Sequence, residues 1–124
     1  MTDAETTILH LRERIEMFVH ERDWAQFHNP KDLAAAIAIE AGELMELFLW
    51  KSAAEVAAAV TQPDHERRLR EELADIVILC CCLANRLDID LSTAVHAKVD
   101  ANAAKYPAHL SRGRADKYTR YQNE

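Results

Sequence analysis

Glycine and proline are scarce. Two glycines and three prolines in 124 residues leave little of the turn chemistry that many short strands would need, and they rule out a Gly-rich loop to cradle a phosphate. No apolar stretch approaches the ~18 residues of a membrane span. The opening MTDAETT is acidic and polar, so it does not read as a secretory signal. Positive charge is not in excess either. A formal net charge of −6 argues against binding long nucleic acid, which calls for a basic patch, but it still admits a nucleotide whose phosphates are screened by metal ions. Cysteine occurs only as the run Cys80-Cys81-Cys82. Adjacent residues on a helix point in different directions, which makes these three poor disulfide partners. They read as reduced, buried, small apolar side chains, and a reducing, cytoplasmic location follows.

What is present favours helix. Apolar residues make up 49% of the chain, with Ala and Leu abundant, which is the composition of a helical globular domain. The length suggests a single all-α domain over residues 1–110 and a polar C-terminal tail over 111–124. Ile8, Leu11, Ile15, Phe18 and Val19 recur at helical spacing and predict a first helix over about 6–22. NPKD offers Asn29 as N-cap, Pro30 at the first helical position and Asp32 at the dipole's positive end, so a second helix is expected from about 30 to 51. SAAE, Ser52 to Glu55, matches a capping box opening a short Ala-rich helix to about Val60. A further helix is predicted from Pro63 or Asp64 to Asn85. The last begins after its N-cap Asp90 and is stopped by Tyr106-Pro107. The segment IVILCCCLANRL is apolar nearly all round. Four or five helices can scarcely enclose such a helix, so a second copy of the chain is expected to cover part of it.

The stretch IEAGELMELFLWK, residues 39–51, sets Glu40, Glu43 and Glu46 among apolar neighbours. Carboxylates there are costly unless something pairs with them. Glu40 and Glu43 are i and i+3, about 60° apart on one face. EELAD repeats the arrangement with Glu72 and Asp75. Twenty-eight residues separate Glu43 from Glu72, enough for a turn, a short helix and another turn, so the two long helices can lie side by side. Four converging carboxylates would repel and take up protons unless cations joined them. Lys and Arg are absent from the apolar portions of both helices before Lys51, and hard oxygen donors suit Mg²⁺ or Mn²⁺. Neither pair contains the His of a di-iron Glu-x-x-His motif. Solvated helix faces also carry Glu at i and i+3, so each pair taken alone has that plainer explanation. Gly42, in mid-helix, suggests a close helix approach. Glu46 and Glu71 are further candidates to position or deprotonate a water, or else solvated salt-bridge partners.

Without a phosphate loop, a phosphate ligand would be held by metal ions and by Lys or Arg. Lys98, Asn102 and Tyr106 follow helical spacing in KVDANAAKYP and form one polar stripe, which also suits a plain exposed face. Trp24, Phe27, His28 and Trp50 are the remaining outliers. Aromatic rings can sandwich a nucleobase, or they can anchor a core or an interface.

EAGELMELFLWK followed by EELADIVI resembles the MazG-like all-α nucleoside triphosphate pyrophosphohydrolases, whose signature is Glu-x-x-Glu, a variable gap, then Glu-x-x-Asp. ERDWAQFHNPKDL, ELFLWK, KVDANAAKYP and HLSRGRADKYT, in that order, are similar to segments of the dCTP pyrophosphatase branch, and the likeness spans roughly residues 8–119. The resemblance implies a four- to five-helix bundle, working as an obligate homodimer or as a homotetramer made of dimers. It implies Mg²⁺-dependent hydrolysis of a nucleoside triphosphate, dCTP or a modified dCTP first among them, to the monophosphate and pyrophosphate. Glu40, Glu43, Glu72 and Asp75 would hold the metal, and Glu43, Glu46 and Glu71 would serve catalysis. Trp24, Phe27, His28 and Trp50 would line the base and sugar pocket, while Lys98, Asn102 and Tyr106 would contact phosphates. Leu79 stands where the family pattern has Tyr, and Ile15 where it has His; both positions bear on base preference. The alternatives are another substrate, dUTP or phosphoribosyl-ATP, or a non-catalytic helical nucleotide-binding oligomer.

Overall fold

The computed structural model of the chain describes residues 1–123. Every regular element among them is helical: α1 (Ile8–Glu21), a 3-10 turn (Ala25–Phe27), α2 (Pro30–Glu46), α3 (Ala53–Ala59), α4 (Pro63–Leu87), α5 (Leu91–Lys105), α6 (Ala108–Ser111) and a second 3-10 turn (Tyr118–Asn123). These elements fall into two compact units, Met1–Ile89 and Asp90–Glu124.

In the first unit the helix starts are written in side chains. Thr7 accepts from the His10 N–H, and Asn29 Oδ1 accepts from the Asp32 N–H at 2.9 Å, with Pro30 opening α2. Ser52 and Glu55 form the full capping box at α3. Each cap satisfies backbone donors that the first helical turn leaves without partners.

α2 packs along α4, and α1 packs on α4 as well. The core cluster is Val19 from α1, Leu33 from α2 and Cys82 from α4, with Ile15, Ala25, Leu79 and Leu83 against it. The cysteines are free thiols, and Cys81 and Cys82 are buried. Burial pushes both thiols up from their ordinary range. Arg12 and Asn85 clamp α1 to α4 reciprocally: Arg12 Nε donates to Asn85 Oδ1 (2.8 Å), and Asn85 Nδ2 donates to the Arg12 carbonyl (3.2 Å).

Two expectations are corrected. α2 ends at Glu46, not near residue 51. From Leu47 on, the backbone N–H groups reach back three residues (Leu47 to Leu44, Phe48 to Met45, Leu49 to Glu46), which tightens the last turn. Trp50 then adopts φ 63°, a left-handed conformation rarely taken by a bulky residue. No glycine or proline marks this stop, so the local sequence does not announce it. In line with the sequence reading, the single chain does not bury the later half of α4 on every side. Cys81, Cys82 and Ala84 are inside, while Val77 is 46% exposed and Ile78 39%. Finally, a Cβ built on Gly42 would meet nothing within 4 Å, so close helix approach in the chain is not the reason for that glycine.

The second unit holds α5, capped by Asp90 accepting from the Thr93 N–H (2.8 Å), and the segment after Pro107. Tyr106 meets Tyr118 and Tyr121 edge to face, at 5.7 and 6.0 Å between ring centres, and Tyr121 is buried.

Candidate active site

The centre of the first unit is the crossing of α2 and α4. The three-residue step between Glu40 and Glu43 turns both carboxylates to one side of α2, and Glu72 faces them from α4. One carboxylate oxygen from each of Glu40, Glu43 and Glu72 lies within 4.8 Å of the others. Among the described residues no lysine or arginine is paired with any of the three. Glu40 Oε2 and Glu72 Oε2 are buried and have no hydrogen-bond partner.

Electrostatics follow from that crowding. The Glu40 carboxyl is pushed up to about 7, first by a hydrogen bond with Glu43, then by burial and by the charges of Glu43, Asp75 and Glu72. Glu72 is raised as well, first by burial, then by its hydrogen bond with Glu43 and by the charges of Glu43 and Asp75, although a hydrogen bond with Glu40 pulls the other way. Like charges that share a small space retain a proton between them. Asp75, one helical turn beyond Glu72, adds to the negative field. The donor set fits a hard divalent cation: orphaned, buried carboxylate oxygens with no nearby base are what Mg²⁺ or Mn²⁺ binds.

The other candidates are placed as follows. Glu46 is the last residue of α2 and is exposed. Glu71 is exposed and accepts from Arg67 at 3.0 Å, so its carboxylate already has a cation. Trp24 packs edge to face on Phe18 at 5.6 Å and remains partly exposed, as does Phe27. His28 lines a cavity of about 80 Å³ with Glu16, Val19, Ala25, Cys82, Asn85 and Arg86. Trp50 is 92% exposed on its left-handed turn. Lys98 and Asn102 are exposed on α5 in the second unit, where Tyr106 is the C-cap.

Sequence reasoning missed His65, near the start of α4. Its Nε2 lies 3.1 Å from the Leu47 carbonyl oxygen and donates to it, because a carbonyl only accepts. Its ring leans on Phe48 at 5.8 Å. The available signal was spacing: Leu47 is seven residues after Glu40, and His65 is seven before Glu72.

Comparison with known proteins agrees with this architecture. The MazG-like family matches residues 35–120. The chain is similar to dCTP pyrophosphatase 1 of Rattus norvegicus, 48% identical over 115 residues, which cover 93% of this chain and 68% of that one. It is similar to dCTP pyrophosphatase 1 of Homo sapiens at 44% identity, with the same coverage. A crystal structure of a pyrophosphatase from Archaeoglobus fulgidus superposes with a TM-score of 0.73 at 34% identity, covering 78% of this chain and 89% of that one.

Proposed function

The chain belongs to the MazG-like family, and on that premise we propose that it is a nucleoside triphosphate pyrophosphatase acting on dCTP or a modified dCTP, releasing the monophosphate and pyrophosphate. One observation carries the reading: three carboxylates from two helices meet within 4.8 Å with no cation of the protein to neutralise them. A triphosphate, itself strongly anionic, can approach such a site only if metal ions stand between.

Glu40, Glu43, Glu72 and Asp75 would hold Mg²⁺. Bound there, Mg²⁺ would polarise the α-phosphoryl group and lower the pKa of an attacking water. The protein's own groups do the rest. The four carboxylates would fix where the polyphosphate's charge is met, and Glu43, with an oxygen within 4.8 Å of both Glu40 and Glu72, links the two pairs. Glu46 is free of ion pairs and one turn past Glu43, which suits it to orient the water and accept its proton. Glu71 is the second candidate for that step, after parting from Arg67. Trp24, Phe27, His28 and Trp50 would receive the base and sugar, and Lys98, Asn102 and Tyr106 the phosphates.

A groove of about 470 Å³ along α1 and α4, lined by Leu11, Arg14, Ile15, Phe18, Ala74, Val77 and Ile78, supports a homodimer or homotetramer in which a second copy covers this apolar face. Among the described residues no helix is long and apolar enough to cross a membrane, and three free cysteines suit a reducing cytoplasm.

The deciding experiment incubates the purified chain with Mg²⁺ and a panel of nucleotides including dCTP, 5-methyl-dCTP, dUTP and phosphoribosyl-ATP, and separates the products by chromatography. Release of dCMP and pyrophosphate, abolished in Glu43→Gln with helical content unchanged, is the expected result. An inert panel defeats the reading.

A further inference from the structure

We propose that His65 is a positioning residue that sets the register of α2 against α4, and with it the convergence of Glu40, Glu43 and Glu72; the inference rests on the metal-site reading of those carboxylates. The two helices run antiparallel here. Moving seven residues forward from Glu40 leads to Leu47, the C-cap of α2, and moving seven back on α4 leads from Glu72 to His65. Seven residues, or about 10 Å at helical rise, therefore separate Glu40 and Glu72 from the His65–Leu47 bond, with Glu43 about one turn from it. The bond and the cluster belong to one register, and a slip of one residue would rotate a carboxylate about 100° away.

The bond also answers a local need. α2 ends in carbonyls that the helix cannot satisfy. Those of Leu44, Met45 and Glu46 are taken by the N–H groups of Leu47, Phe48 and Leu49. Leu47 is itself 4% exposed, and its carbonyl is met by the His65 ring (3.1 Å). The ring is held in turn by Phe48. Replacing it by a side chain without an N–H would leave a buried acceptor unpaired, a defect costlier than the ordinary net value of a hydrogen bond. Meanwhile the carboxylates repel one another in the middle of the same contact, between the His65–Leu47 bond and the Leu33–Cys82 core. A pin at one end of it resists that repulsion without placing a cation in the site, where a lysine or arginine would compete with metal.

The test is a calorimetric titration of the full chain with Mn²⁺ alone, with thermal unfolding and far-ultraviolet circular dichroism alongside. His65→Phe keeps a ring for Phe48 and removes the donor; it should weaken Mn²⁺ binding roughly five- to tenfold. His65→Gln keeps a donor of similar reach and should bind within about twofold of the unsubstituted chain. If His65→Phe does not fold, His65→Asn takes its place, because its shorter amide falls short of the Leu47 carbonyl and should bind more weakly than His65→Gln. Unchanged Mn²⁺ affinity in the donor-less or shortened variant, even with a lowered melting temperature, would mean that His65 only stabilises the fold, and the proposal is overturned. The two readings fail separately. If the unsubstituted chain takes up no Mn²⁺, or takes it up equally well after Glu72→Gln, the carboxylate reading fails first and this one with it. Binding lost in Glu72→Gln but intact in His65→Phe defeats this proposal alone.

Discussion

Glu71 and Glu72 are the same residue type, side by side on the same helix, yet their surroundings are opposite. Glu71 points to solvent and accepts from Arg67, one member of a ladder in the first turns of α4 that also pairs Arg67 with Asp64 and Arg70 with Glu66. Glu72, 100° around the helix, turns toward α2, has a buried oxygen with no partner, and is raised by burial and by Glu43 and Asp75. One residue along the chain separates a solvated helix face from a site. Residue type alone does not distinguish a clustered carboxylate from a solvated one. What distinguishes them is the absence of an arginine within reach and the presence of a second acidic helix.

The sharpest way to break this contrast is to neutralise each neighbour in turn. Glu72→Gln should lower kcat by at least ~100-fold, as loss of a metal ligand or an equivalent electrostatic group does, while Glu71→Gln should change it by less than about threefold; steady-state kinetics on dCTP measure both. If Glu71→Gln proves as damaging as Glu72→Gln, then Glu71 and not Glu46 handles the water, and the two faces differ less than their geometry indicates.

The contrast extends to pH. Glu40 titrates near 7 in the folded chain, against an ordinary 4.5. Between those values the folded state holds more protons than the unfolded one, so stability falls as pH rises through this window. Glu72 is shifted in the same sense. The melting temperature of the metal-free chain should therefore decline from pH 4.5 to 7 relative to that of Glu40→Gln, and Mg²⁺ added at pH 8 should restore it by binding the folded state alone. Scanning calorimetry at a series of pH values, with and without Mg²⁺, tests this. A flat difference between the two chains would mean that the carboxylates do not share a proton.

Smaller effects test the frame around the site. Gly42→Ala adds a methyl that meets nothing in the chain and should stabilise by about 0.5–1 kcal/mol in urea unfolding. A loss instead would show that another copy or a ligand approaches there. Last, Arg67→Ala removes exposed ion pairs and should cost no more than about 0.5 kcal/mol.

Much of this was legible locally. Thr7 aside, the caps at Asn29, Ser52 and Asp90 were readable because a cap is an interaction between a side chain and a backbone group two or three residues away. The two acidic pairs were readable for the same reason, since helical spacing fixes which residues share a face. The end of α2 was not. There the backbone bonds shorten to three residues, Leu47 is buried, and a histidine eighteen residues later takes its carbonyl. The sequence could set Glu72 apart from Glu71 by its Asp75 partner at i+3, but not show what α2 brings near.

The amino-acid order determined the helices, their starts and the two carboxylate pairs, because backbone hydrogen bonds and side-chain caps act over three or four residues. Only the tertiary structure decided that Glu40, Glu43 and Glu72 meet, that Glu71 does not join them, and that His65 takes the Leu47 carbonyl. Those outcomes depend on the register of two packed helices, and register is settled by contacts between residues far apart in the chain.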